Sequence, residues 1–80
     1  MTAAELKTRI ETLAPGTKVE VVDLTGTQDH WQATIVSPAF SGKTLIEQHR
    51  MVFDLLKQEV ESNEVHALTL KTFSPEKFRG

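Results

Sequence analysis

Eighty residues, nine of them basic and eleven acidic, carry a formal charge of −2, which excludes strong nonspecific attraction to a polyanion; any nucleic-acid contact has to come from a local patch. With 39% hydrophobic and 25% charged residues the composition is that of an ordinary globular domain, and a chain of this size buries only about 60–65% of its unfolded surface, so its stability margin is small. The absence of cysteine removes disulfides, thiolate ligands and redox thiols, and leaves histidine, or another molecule's sulfur, as the only route to a soft metal cluster.

The opening MTAAELKTRIETL has no basic region leading into an unbroken apolar run, and no run approaches the length of about eighteen apolar residues that a membrane span needs. The expectation is a soluble, cytoplasmic protein. Thr2 and Glu5 have the spacing of a capping box, and Leu6, Ile10 and Leu13 recur on one helical face before Pro15-Gly16 stops the pattern, predicting a helix over 3–13. Lys18 to Val22 alternates and is rich in β-branched residues, as a half-buried strand should be. Asp23 to Asp29 reads as a polar turn. From His30 to Val36, Trp31, Ala33 and Ile35 point one way and the intervening residues the other, giving a second strand, a hairpin with the first, and Trp31 as core anchor.

Ser37-Pro38 reads as an N-cap with proline at the first helical position, predicting a helical turn over Pro38–Phe40 that Ser41-Gly42 interrupts. Thr44 and Glu47 form a second capping box, and Leu45, Val52, Leu55, Leu56 and Val60 mark the buried stripe of one long helix over 44–61. Val65 to Phe73 has strand composition, and Ser74-Pro75-Glu76 looks like the cap of a last helical turn. The order is α-β-β-α-α-β over one domain, 1–80. A long crossover between the second and third strands makes them parallel, so the fold expected is an α+β two-layer α/β sandwich on a three-stranded mixed sheet.

Chemistry-bearing motifs are few. Ser41-Gly42-Lys43-Thr44 resembles the end of a phosphate-binding loop, but the first glycine of that pattern is replaced by Ser37, with Pro38 and Phe40 in the loop; a glycine turn before a capped helix is the better reading. His30, His49 and His66 show no tight metal-ligand spacing. His49 shares a helical face with Val52 and Leu56, the pattern of a boundary residue that packs its ring and hydrogen-bonds its nitrogens. His66 shares a strand face with Leu68 and Leu70. No serine, lysine or carboxylate pair is spaced as a triad, dyad or metal-activated water would need, so nothing points to an enzyme.

Three stretches taken together resemble the BolA family: Pro38-Ala39-Phe40-Ser41-Gly42-Lys43-Thr44, then Gln48-His49-Arg50-Met51-Val52, then Val65-His66-Ala67-Leu68-Thr69-Leu70-Lys71 followed by Thr72-Phe73-Ser74-Pro75. Asp29-His30-Trp31-Gln32 is similar to the opening of that family's second strand. The resemblance implies a fold similar to the class II KH domain. It also implies partnership with a monothiol glutaredoxin, in which a 2Fe–2S cluster is held by the partner's cysteine, a glutathione thiol and two side chains of the BolA-like protein. The isolated chain would then have no cofactor of its own. By the resemblance His66 is the cluster ligand, its neutral imidazole replacing a thiolate, which raises the reduction potential and makes the site pH-sensitive. The family's second ligand lies in the loop between the first two strands, and here the sequence departs from the pattern: Asp23 to Gln28 holds neither histidine nor cysteine, and His30 is the nearest donor. The alternative reading is a transcriptional regulator that binds nucleic acid through the KH-like fold, with Lys43, Arg50 and Lys71 as its patch, although Ser41-Gly42-Lys43-Thr44 has only one glycine of a GXXG clamp. A homodimer without either ligand is left open.

Overall fold

The computed structural model describes residues 2–24, 26, 30–62 and 67–77. Its first element is set by local chemistry. The Thr2 hydroxyl accepts from the Glu5 N–H at 3.2 Å and the Glu5 carboxylate accepts from the Thr2 N–H at 3.0 Å, so two of the unpaired donors at a helix start are satisfied at once. Helix α1 follows over Ala3–Glu11. It ends two residues before the predicted limit, because Thr12 and Leu13 tighten into a closing turn, bonding the carbonyls of Arg9 and Ile10. Gly16, at φ +82°, then takes the left-handed conformation that side chains disfavour, and the chain reverses into the sheet.

Strand β1 spans Lys18–Asp23 and strand β2 spans His30–Val36, antiparallel, with Lys18 opposite Val36 and Asp23 opposite Trp31. Strand β3, Ala67–Phe73, lies parallel to β2 on its other side, from His30 opposite Ala67 to Val36 opposite Phe73. The order β1-β2-β3 is the hairpin and crossover expected from the sequence. Of the strand predicted over Val65–Phe73, positions 65 and 66 lie outside the described residues, as does most of the predicted polar turn.

Between β2 and β3, Ser37 extends the ladder by donating its N–H to the Phe73 carbonyl at 3.1 Å. Its hydroxyl accepts from the Ala39 N–H at 3.2 Å and meets the Thr17 hydroxyl at 2.9 Å. The predicted turn Pro38–Phe40 is a 3-10 turn that delivers Phe40 to the core. Thr44 and Glu47 form the second reciprocal cap and start helix α2, Leu45–Leu55.

Two features differ from the sequence reading. The single helix predicted over 44–61 is two, α2 and α3 (Lys57–Glu61), separated by a turn at Leu56; the Leu55 carbonyl is taken by the Arg9 guanidinium at 3.0 Å, a partner that no periodicity argument can supply. The predicted buried stripe is correspondingly shorter. Val52 and Leu56 are fully enclosed, whereas Leu45 is 60% and Val60 37% exposed, because only the middle of the helical run reaches the sheet. After β3, Ser74 to Lys77 closes as one turn through Lys77 N–H to the Ser74 carbonyl at 3.1 Å, without becoming a helix.

The core lies between the helices and one face of the sheet: Leu6 and Ile10 from α1, Val52 and Leu56 from the second helical run, Phe40, and Val19, Trp31, Ala33, Ile35 and Leu70 from the strands. Alternation sends Lys18, Glu20, Val22, His30, Gln32, Thr34, Val36, Thr69, Lys71 and Phe73 to the other face, where none is buried. The result is a two-layer α+β sandwich, and the helix-free sheet face is left to water.

Candidate functional site

The parallel pairing of β2 with β3 brings the starts of two distant segments together. His30 is the first residue of β2 and is exposed. Its backbone carbonyl accepts from the Leu24 N–H at 2.8 Å, which anchors the strand start to the end of β1. Opposite His30 stands Ala67, the residue that follows His66 in the sequence; His66 itself lies outside the described residues. One position further along, Trp31 is 1% exposed and sits opposite Leu68, and its indole Nε1 is enclosed without a hydrogen-bond partner.

The donor set of this chain is sparse. There is no cysteine, and among the described residues no three histidine, aspartate or glutamate side chains gather closely enough to hold a metal ion. A neutral imidazole can fill one coordination position on an iron whose other ligands come from elsewhere. His30 stands at the rim of the sheet and is exposed.

His49 is half-buried on α2 as its helical position foretold, but its Nε2 is enclosed and has no hydrogen-bond partner among the described residues, contrary to the expectation that its nitrogens are hydrogen-bonded. It is on a different element from the β2–β3 end. The three cations of the proposed nucleic-acid patch do not converge. Lys43 and Arg50 flank the outer side of α2, around a shallow hollow completed by Glu47, Met51 and Asp54. Lys71 projects from β3 on the sheet face that turns away from the helices. The loop that resembled a phosphate cradle is already occupied by the chain's own carboxylate. Glu47 accepts the Thr44 N–H at 2.9 Å, and that bond, the Thr44 hydroxyl and then Lys43 and Arg50 hold its pKa below the ordinary carboxylate value.

Two structural residues near these elements were not visible in the sequence. Gln48 accepts from the Thr72 hydroxyl at 2.6 Å and donates to the carbonyls of Lys43 at 2.9 Å and Phe40 at 3.4 Å, tying α2, the loop before it and β3 together. Arg9 donates to Glu59 Oε1 at 2.7 Å and to Leu55 O, joining α1 to the α2–α3 turn. The bonds that join separate elements, Gln48 to Thr72 and Arg9 to Glu59, span 24 and 50 residues, so no local signal could have found them. Among the described residues no helix is long and apolar enough to cross a membrane.

Comparison with known proteins places this geometry. The family model described as BolA-like protein matches residues 5–77. The uncharacterised protein RP812 of Rickettsia prowazekii is 32% identical over 74 residues, covering 92% of this chain and 95% of that one. The DNA-binding transcriptional regulator BolA of Escherichia coli is 34% identical over 55 residues, 69% of this chain and 51% of that protein, so the chain spans about half the length of that relative. Among solved structures, the BolA domain of SufE1 from Arabidopsis thaliana superposes with a TM-score of 0.83 at 29% identity, covering 95% of this chain and 94% of that domain. A match along nearly the whole chain, in sequence and in fold, has one reading: the chain belongs to the BolA family.

Proposed function

We propose that this chain is a non-enzymatic adaptor that binds a monothiol glutaredoxin and lends imidazole nitrogen to a 2Fe–2S cluster held by that partner's cysteine and by glutathione. BolA-family proteins are non-catalytic adaptors and regulators, and a BolA domain occurs within SufE1. The reading rests on the family match over residues 5–77, together with an exposed His30 at the end of the sheet where β3 begins, opposite Ala67, in a chain devoid of thiols. In this role His66 is the principal ligand and His30 the second. Each coordinates through an unprotonated ring nitrogen. When bound, the cluster supplies one-electron chemistry and transferable iron and sulfide; this chain supplies orientation and nitrogen donors.

The test is anaerobic mixing with a cluster-loaded monothiol glutaredoxin, followed by visible circular dichroism and a sizing column. The wild-type chain is expected to form a heterodimer and change the cluster's dichroism. His66→Ala removes the spectral change, and His30→Ala weakens it. An unaltered spectrum with no complex on the column sinks the proposal.

The second reading, nucleic-acid binding, draws on the name of the Escherichia coli relative, a DNA-binding transcriptional regulator. Lys43, Arg50 and Lys71 are the residues offered for it, and their separation onto two layers makes it the weaker one. It requires an affinity that falls steeply with salt.

A further inference from the structure

From Lys43, just ahead of the cap of α2, through α2 and α3, three kinds of residue recur at the same seven-residue step. Lys43, Arg50 and Lys57 are basic, Ile46, Phe53 and Val60 apolar, and Glu47, Asp54 and Glu61 acidic, and all nine are exposed. Ile46 is 72%, Phe53 40% and Val60 37% accessible. A step of seven residues returns to nearly the same side of a helix, so the first two kinds interleave at spacings of three and four into one stripe. The hydrogen bonds from Leu56 N–H to Val52 O and from Val60 N–H to Leu56 O, both 3.0 Å, carry the helical path through the turn at Leu56.

The stripe borders the buried positions Val52 and Leu56, and its apolar residues Ile46, Phe53 and Val60 are not part of the core cluster. Apolar side chains every seventh residue with one charge sign beside them are the pattern of a helix that packs on another helix. The acidic column runs alongside the cations, and Lys43 and Arg50 already interact with Glu47, which disfavours a polyanion along the same line. An antiparallel, two-fold pairing of this stripe with a second copy would set basic column against basic column. We propose that the outward stripe of α2 and α3 docks an amphipathic helix of another protein, one that carries apolar side chains at seven-residue spacing with carboxylates beside them. The contact is small and therefore transient, of the size class that binds in the micromolar range.

The probe is a fluorescein-labelled helical peptide as long as α2 and α3 together, with leucine at every seventh position and glutamate flanking it, titrated by anisotropy against the full chain. A matched peptide with lysine for each glutamate is the control. Saturable binding of the acidic peptide is expected, with the lysine peptide weaker by about tenfold or more. The double variant Ile46→Gln/Phe53→Gln should weaken binding by about tenfold while leaving thermal unfolding in place, because both side chains are exposed. Arg50→Glu should lose the acidic peptide and gain the lysine one. Equal binding of the two peptides, or none, overturns the proposal. So does a single-stranded oligonucleotide that competes for the stripe, or self-association in sedimentation that the double variant abolishes.

Discussion

A single amide shows how much of this fold depends on residues that look ordinary in the sequence. Gln48 is half-buried and uses its oxygen for the Thr72 hydroxyl and its nitrogen for two loop carbonyls. Thr72 is 7% exposed, so removing its acceptor leaves a hydroxyl with little access to water. Gln48→Ala is therefore expected to cost about 1–3 kcal/mol. Thr72→Val keeps the shape and leaves only the more accessible Gln48 oxygen to find water, at about 1 kcal/mol or less. Urea unfolding of the two variants checks the order; equal losses would show that the bond to Thr72 is not what matters. At this scale the sequence was least informative. Trp31 could be assigned to the core from alternation, but which polar side chain answers which is a property of the assembled layers. His66 was singled out by family resemblance and not by its spacing, and that His30 stands opposite Ala67 became visible only through the register of β2 and β3.

Elements were more legible, because their limits are written in local chemistry. Both capping boxes, the alternation of β1 and β2 and the 3-10 turn at Pro38–Phe40 are as the residues require. The break at Leu56 was not, since it is stabilised from α1: Arg9 takes the Leu55 carbonyl and one oxygen of Glu59. The Arg9 side chain is 37% exposed and that of Glu59 12%, so the pair is partly screened and its loss is discounted accordingly. Arg9→Ala is expected to destabilise by about 1–2 kcal/mol, mainly by stranding a half-enclosed carboxylate and an unpaired carbonyl. Hydrogen exchange should then accelerate in α3 before it does in β2, and uniform acceleration across the chain would contradict a local strut.

For the molecule as a whole, four carboxylates among the described residues favour the folded state when ionised. Glu5 and Glu47 are held below the ordinary carboxylate value by the backbone donors of their caps, Glu59 by Arg9, and Glu76 by its own N–H and the Ser41 hydroxyl. Each has a lower pKa folded than unfolded, so its contribution is complete above the unfolded value and disappears as the pH falls through the folded one. Thermal stability is expected to be insensitive to these groups above about pH 5 and to decline from there downward. Glu59→Gln should make that decline shallower, and an unchanged acid limb would show that Arg9 does not favour the ionised form.

The central position of β2 has a consequence for how the chain assembles. Its antiparallel neighbour is adjacent in the sequence, while its parallel neighbour is separated from it by the whole helical crossover. A chain emerging from the ribosome can close the β1–β2 ribbon early, yet it must wait for residues near 70 before the second edge of β2 is covered. Until then Trp31, Ala33 and Ile35 lack Leu70 as a cover on that side, and the newborn protein is most vulnerable to aggregation in the interval before its last strand arrives.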